Sequence, residues 1–228
     1  MSLTGTNVIV TGGSGELGRA VVEEFVRAGT RVSVPVRTDN TQLPGVAFSA
    51  RCDLTDESEA RSFIESAEKR VGPTDILVCL AGGYTGGSLV EETSDEDILD
   101  QFRMNFLTTH HAIKMVLPGM KQRRNGRIVT TAAMPVLIPT GRREAYAVSK
   151  GAVATLTRTL GQELKGTGVT CNAIAPSIIA TEPNKKSMPD ADTSRWVQPA
   201  EIAALILFLT SRESGSVSGN IIRIFGGV

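Results

Sequence analysis

The chain has no apolar run of transmembrane length, no excess of either charge and very little cysteine. A membrane-spanning helix needs about 20 consecutive apolar residues, so no such span is expected. Lysine plus arginine number 24 and aspartate plus glutamate number 24, giving a formal net charge of zero. A neutral chain whose densest basic run is Lys121-Gln122-Arg123-Arg124 offers no electrostatic footprint for nucleic acid or an anionic membrane. The three cysteines, Cys52, Cys79 and Cys171, are odd in number, lack metal-ligand spacing and lie in or near apolar runs. That pattern reads as free buried thiols in a reducing cytoplasm. The two histidines, His110 and His111, have no third ligand in view, so no metal is expected and packing or a subunit contact accounts for them. Met1 to Thr6 is short and polar and leads straight into Asn7-Val8-Ile9-Val10, so no signal peptide is expected.

What is present is alternation. Short β-branched runs near 7–11, 31–36, 46–50, 75–80, 126–131, 168–174 and 220–224 read as strands. Helical patterns lie between them at about 16–28, 56–70, 95–122, 145–165 and 199–211. In the first, Leu17, Val21, Val22, Phe25 and Val26 form an apolar stripe that stops at Gly29, while Asp56-Glu57-Ser58-Glu59 opens the second as a capping box. Strands such as Ile76-Leu77-Val78-Cys79-Leu80 are apolar throughout, as expected when helices cover both faces. The pattern predicts an α/β fold with a doubly wound, mostly parallel sheet of the Rossmann type. There is no internal repeat, low-complexity tract or linker, so a single domain over residues 1–228 is expected.

Two motifs carry chemistry. Thr11-Gly12-Gly13-Ser14-Gly15-Glu16-Leu17-Gly18 follows the first strand and opens the first helix. Glycine there permits a tight turn and close backbone approach to a pyrophosphate, and the helix start presents free N–H groups. Further on, Tyr146 and Lys150 stand four apart, which stacks them on one face of a helix. An ammonium beside a phenol favours phenolate, so Lys150 is expected to lower the Tyr146 pKa, as suits a tyrosine acid. Together the motifs imply a nicotinamide-dependent oxidoreductase. At the tip of the second strand a carboxylate would bond a ribose 2′-hydroxyl and an arginine would accommodate a 2′-phosphate. Val36 is followed by Arg37 and Thr38, which favours NADP over NAD, with Asp39 the residue that would favour NAD if the strand ran further.

In the order of its landmarks the chain resembles the short-chain dehydrogenase/reductase family over essentially its full length. These are the loop at Thr11–Gly18, Asp53-Leu54, Ala81-Gly82-Gly83, Asn105, Tyr146 and Lys150, Asn172 to Pro176, and a terminal strand ending Gly226-Gly227. The resemblance implies cofactor contacts at Gly12, Ser14, Gly15, Leu17 and Gly18, at Asp53 for the adenine edge, and at Gly82 for the adenosine ribose. Leu54, Ala81, Lys150 and Pro176 would complete that lining. Ile179 and Thr181 would hold the nicotinamide carboxamide. Asn105 matches a structural asparagine near the catalytic lysine. A homodimer or homotetramer is implied as well. The family commonly has glycine where Glu16 stands, and a carboxylate near pyrophosphate is unfavourable unless it points to solvent.

A second departure concerns the substrate. The family's usual serine, about thirteen residues before the tyrosine, is replaced by Ala133. A methyl donates no hydrogen bond, and the missing oxyanion contact is worth roughly 3 kcal/mol. Thr131 is the nearest hydroxyl and is the candidate replacement. The loop from Ala81 to Gly87, with Tyr84 as a stacking residue, and the stretch from Asn184 to Asp192 before Trp196 resemble dihydropteridine reductases, which also lack that serine. A quinonoid dihydropterin is electron-poor and needs less carbonyl polarisation. The expected substrate is thus a small carbonyl compound or a conjugated, quinonoid dihydropterin-like molecule meeting Tyr84, Ala133 and Tyr146. The alternatives are a 3-oxoacyl-thioester or general carbonyl reductase, and a dinucleotide-binding sensor or scaffold that turns over poorly.

Overall fold

Successive strand side chains point to opposite faces, and here both faces are apolar. In the computed structural model, which describes residues 3–38 and 43–227, the strands are β1 (Asn7–Thr11), β2 (Arg31–Val36), β3 (Phe48–Arg51), β4 (Ile76–Cys79), β5 (Gly126–Thr131), β6 (Val169–Pro176) and β7 (Ile221–Ile224). They form one sheet in the order β3-β2-β1-β4-β5-β6-β7, every pairing parallel. Val8, Val10, Ile76 and Val78 face a core built with Val21 and Phe25 of α1 (Glu16–Arg27) and Ile202 and Ile206 of α7 (Pro199–Thr210). Ile9, Leu77 and Cys79 face the other core, with Phe63 of α2 (Glu57–Val71), Val116 of α4 (Thr108–Arg123) and Leu160 of α5 (Glu144–Glu163). The remaining helices are α3 (Asp95–Phe102) and the short α6 (Glu182–Ser187). Among the described residues no helix is long and apolar enough to cross a membrane.

The doubly wound expectation holds, and the sheet is wholly parallel among the described residues. Three local readings change. The helix expected over 95–122 is broken by a π-helical turn at Arg103–Leu107, joining α3 to α4. The capping box at Asp56 is half formed: Asp56 accepts from the Ser58 and Glu59 N–H groups at 2.7 and 3.0 Å. Glu59 does not return to Asp56; its Oε2 accepts from the Asp53 N–H at 2.8 Å, fixing the loop after β3. The strand expected at 168–174 runs on to Pro176, whose missing N–H costs nothing at the last ladder position. All three cysteines are free and buried, and burial pushes the Cys52 thiol up to about 12.

The order of strands reverses direction between β1 and β4, and a crevice opens at their C-terminal ends, where ligands bind in such sheets. On the far side, α5 seats tightly against the connection between α7 and β7: a Cβ on Gly161 would lie 2.3 Å from the Gly219 Cα. Gly151, in the same helix, has nothing within 4 Å of a Cβ. Helix propensity favours alanine over glycine by about 1 kcal/mol at both sites. Backbone cannot yield as a flexible side chain can, so overpacking should win at 161 and propensity at 151. Gly161→Ala is expected to lower the unfolding free energy by about 1–2 kcal/mol and Gly151→Ala to raise it by up to about 1 kcal/mol, read from urea denaturation midpoints.

Candidate active site

The crevice holds a cavity of about 690 Å³ lined by the loop after β1, the end of β2, the loop after β3 and the loop after β4. Gly12, Ser14, Gly15, Leu17, Gly18, Arg37, Asp53, Leu54, Ala81 and Gly82 all face it, so the structure brings these sequence-predicted residues together. Two glycines have steric reasons. Gly12 has a φ of +69°, the left-handed region, and a Cβ on Gly18 would stand 2.1 Å from the Gly12 carbonyl oxygen. Helix α1 begins at Glu16, and the first closing N–H in this turn is that of Arg19, donating to the Gly15 carbonyl at 2.8 Å. The N–H groups before it have no partner within the helix, and their residues, Glu16, Leu17 and Gly18, line the cavity. Thr11 ties the neighbouring loop down, its Oγ1 accepting from the Ala81 N–H at 3.2 Å.

At the other end Asp53 Oδ1 accepts from the Thr55 N–H and hydroxyl at 2.9 and 2.7 Å, leaving Oδ2 for a ligand. Leu54 is buried, and its carbonyl meets Nδ1 of His111 at 3.0 Å, so that histidine anchors the loop. Arg37 stands on the cavity rim beside Pro35. Asp39 lies outside the described residues. An anion-accepting loop at one end and a carboxylate at the other fit a dinucleotide.

Glu16 is exposed, as a carboxylate beside a pyrophosphate site requires, and it also has a partner. Both of its carboxylate oxygens accept from the Glu182 N–H, at 3.0 and 2.9 Å. The glycine loop is thereby joined to α6, directly after Thr181. That segment leaves β6 at Pro176, is held by a bridge between Ile179 and Val197, and is braced by Asn184 Nδ2 donating to the Ile179 carbonyl at 2.8 Å. Trp196 is buried and serves packing.

On the far side of Gly82 stands α5. Lys150 is buried, and its Nζ donates to the carbonyl of Thr131, at the end of β5, at 3.0 Å. A Cβ on Gly82 would lie 2.5 Å from Asn105 Oδ1 and 3.2 Å from that Nζ, so only glycine lets the loop pass so close. Asn105 sits in the π-helical turn, wholly buried. Its Nδ2 donates to the Gly83 carbonyl, to Gln101 Oε1 and to Ser149 Oγ at 3.1, 3.3 and 3.1 Å, and its Oδ1 accepts from the Gly83 N–H at 3.0 Å. Ser149 had no sequence signal, because nothing local marks a polar side chain whose partner lies 44 residues away, and Gln101, four residues from Asn105, sits in a helical stretch where a polar side chain ordinarily reads as solvent-facing.

Three expectations are corrected here. Lys150 does not lower the Tyr146 pKa: burial pushes the phenol up to about 12, with the Arg143 charge opposing, while the Lys150 ammonium reaches past it to the Thr131 carbonyl. Burial also brings Lys150 itself down to about 8. Thr131 is no substitute for the missing serine, since its hydroxyl donates its one proton to the Cys79 carbonyl at 2.8 Å. It contributes a backbone acceptor for Lys150 instead. Tyr84 is not a free stacking platform. Its ring meets the Tyr146 ring edge-on at 5.1 Å between centroids, and the Arg143 guanidinium lies over it at 5.5 Å. Ala133 is buried in an extended conformation at the start of a short 3-10 turn, Met134–Val136, and brings only a methyl.

A lysine whose folded pKa lies below its unfolded value binds fewer protons folded than unfolded between the two. Stability contributed by this group therefore rises with pH through that window. The unfolding free energy of the wild type, relative to Lys150→Met and with no nucleotide added, should climb by about 1 kcal/mol per pH unit between roughly pH 8 and 10. Urea titrations of both proteins across that range would reveal it; parallel curves would place Lys150 in contact with water.

The model of the short chain dehydrogenase family matches residues 6–192. The chain is 31% identical to 7alpha-hydroxysteroid dehydrogenase of Escherichia coli (strain K12), an alignment covering 100% of this chain and 95% of that protein. It is 29% identical to the 3-oxoacyl-[acyl-carrier-protein] reductase FabG of Thermotoga maritima, over 100% and 99%. Among solved structures it superposes on aldohexose dehydrogenase of Thermoplasma acidophilum with a TM-score of 0.90 at 27% identity, covering 99% and 94%. NAD+-bound xylitol dehydrogenase shares the fold, with a TM-score of 0.92 at 23% identity over the whole of both chains. With the glycine loop, the Asn105 junction and the Tyr146–Lys150 face all in place, a match of this extent makes the chain a member of the short chain dehydrogenase family, an oxidoreductase that works with a nicotinamide dinucleotide.

Proposed function

We propose that this protein reduces a small carbonyl or conjugated substrate of the quinonoid dihydropterin type, preferring NADPH to NADH and acting in the cytoplasm as a homodimer or homotetramer. The observation that carries the reading is the pairing of Tyr146 and Lys150 on one face of α5, beside the loop at Gly82. The cofactor, when bound, supplies the hydride. Tyr146 supplies the proton: a phenol kept protonated by burial is set to give a proton to a developing anion. Lys150 spends one N–H on the Thr131 carbonyl and has two more for a ribose hydroxyl on the Gly82 side. The glycine loop cradles the central pyrophosphate, Asp53 orients the adenine end and Ile179 and Thr181 the nicotinamide end, with Leu54, Ala81 and Pro176 between them.

The substrate class rests on what surrounds the phenol. Ala133 offers no donor and the Thr131 hydroxyl is committed to Cys79, so carbonyl polarisation falls to Tyr146. A substrate that gains delocalisation on taking a hydride suits such a site better than an isolated ketone. A 3-oxoacyl-thioester or general carbonyl reductase is the second reading, favoured by the likeness to the Thermotoga maritima reductase. A dinucleotide-binding sensor is supported only by the same missing donor. Following NADPH and NADH oxidation with quinonoid dihydropterin and a panel of ketones decides among them; tight cofactor binding without turnover of any acceptor would leave the sensor.

Tyr146→Phe is expected to cut turnover by about 10²–10⁴-fold while leaving cofactor affinity intact. A variant retaining most of the wild-type rate across pH would remove Tyr146 from the role. The cofactor preference is supported by Arg37 at the cavity rim. Arg37→Asp should weaken NADPH and strengthen NADH, measured by fluorescence titration of each. Tighter NADH binding by the wild type would reverse the assignment.

A further inference from the structure

Arg143 stands just before α5, three residues ahead of Tyr146, and nothing so far gives it a task. Its guanidinium lies 5.5 Å from the centroid of Tyr84, whose ring in turn meets Tyr146 edge-on at 5.1 Å. One aromatic ring therefore separates a permanent positive charge from the proton-donating phenol. Among the described residues no carboxylate lies within ion-pair distance of this arginine, whereas Arg27, Arg61 and Arg103 all have such partners. Two acids, Asp97 and Glu144, line the small cavity that Arg143 also borders, and neither forms an ion pair with it. Asp97 accepts from the Ser94 hydroxyl at 2.6 Å, and Glu144 Oε2 is buried with no hydrogen-bond partner.

The position is also held rigidly. Arg142 adopts a φ of +59°, a left-handed conformation that costs a side-chain-bearing residue about 1–2 kcal/mol. Its Nη1 donates to the Gly87 carbonyl and its own carbonyl accepts from the Gly87 N–H, both at 2.9 Å. The loop bearing Tyr84 and the turn bearing Arg143 are thus stitched into one wall, and Tyr84 remains 53% exposed on it. The Arg143 charge is felt at the phenol, where it opposes the effect of burial.

We propose that Arg143 determines substrate class by binding the anionic end of a flat substrate, a carboxylate carried about one ring's width from the group that Tyr146 protonates. Guanidinium presents a planar fork of N–H donors that matches a carboxylate, and among the described residues no ion pair occupies it. The inference rests on the reductase reading for the orientation of the substrate, and its test is independent of turnover.

The probes are 4-carboxybenzaldehyde and its neutral isostere 4-formylbenzamide, titrated calorimetrically into the complex with NADP⁺, in which no hydride is available for reduction. The acid should bind at least about tenfold tighter than the amide, a difference of about 1.4 kcal/mol. Arg143→Gln should erase that preference and Arg143→Lys should restore part of it, with unchanged circular dichroism and NADP⁺ affinity showing that fold and cofactor site are intact. Equal affinity for both probes, no binding of either, or a preference that survives Arg143→Gln overturns the proposal. If the preference and its loss are seen but no acceptor is ever reduced, the reductase reading fails and the anion site stands.

Discussion

Asn105 is the constraint on which the site depends. A π-helical turn widens the helix by one residue, and the buried side chain it presents meets the loop after β4, α3 and α5 at once. Removing it would take away the side-chain partner of both polar groups of Gly83, which is half-buried, so the loop would lose two anchoring hydrogen bonds. More than stability is at stake, since Gly83 adjoins Gly82 and Ser149 adjoins Lys150. One amide sets the distance between the loop after β4 and the Lys150 ammonium. The geometry of the cofactor wall and of the catalytic face is therefore a single quantity.

Charge in the site is managed by backbone. Lys150 is buried, and among the described residues no carboxylate pairs with it and the only acceptor on its ammonium is the Thr131 carbonyl. A buried cation held by a dipole is loosely committed to its proton, which is why burial draws its pKa so far down. Tyr146 moves the opposite way for the same reason, since its charged form is the deprotonated one. Burial leaves both groups biased toward neutrality, and a bound substrate or nucleotide changes the balance by bringing its own dipoles and charges.

The fold was legible because the chain alternates so plainly. Val8, Ile9 and Val10 go to different faces, yet all are apolar, and that alone requires helices on both sides of the sheet. The placement of Gly12, Gly18, Asp53 and Gly82 around one cavity follows from strand order, as does Arg37 on its rim. Contacts that cross the chain were not legible. Four-residue spacing puts Tyr146 and Lys150 on one face, but it does not say that a flexible stem will carry the ammonium to a carbonyl on β5. The Thr131 hydroxyl was a candidate donor only until the register with β4 gave it the Cys79 carbonyl. Glu16 looked like a liability beside a phosphate because its partner lies 166 residues away.

The contact between Gly161 and Gly219 has a consequence for the history of the chain. A Cβ on Gly161 would stand inside the backbone at Gly219, and Gly219 is held to glycine by a φ of +78° as well as by a tight 3.3 Å approach, so neither position varies freely. Descendants of this sequence can drift freely at Gly151, where there is open space, and are held at two sites that share no function. A pair of glycines kept together across divergent copies would thus record packing, and would be mistaken for a ligand site by anyone reading invariance as chemistry.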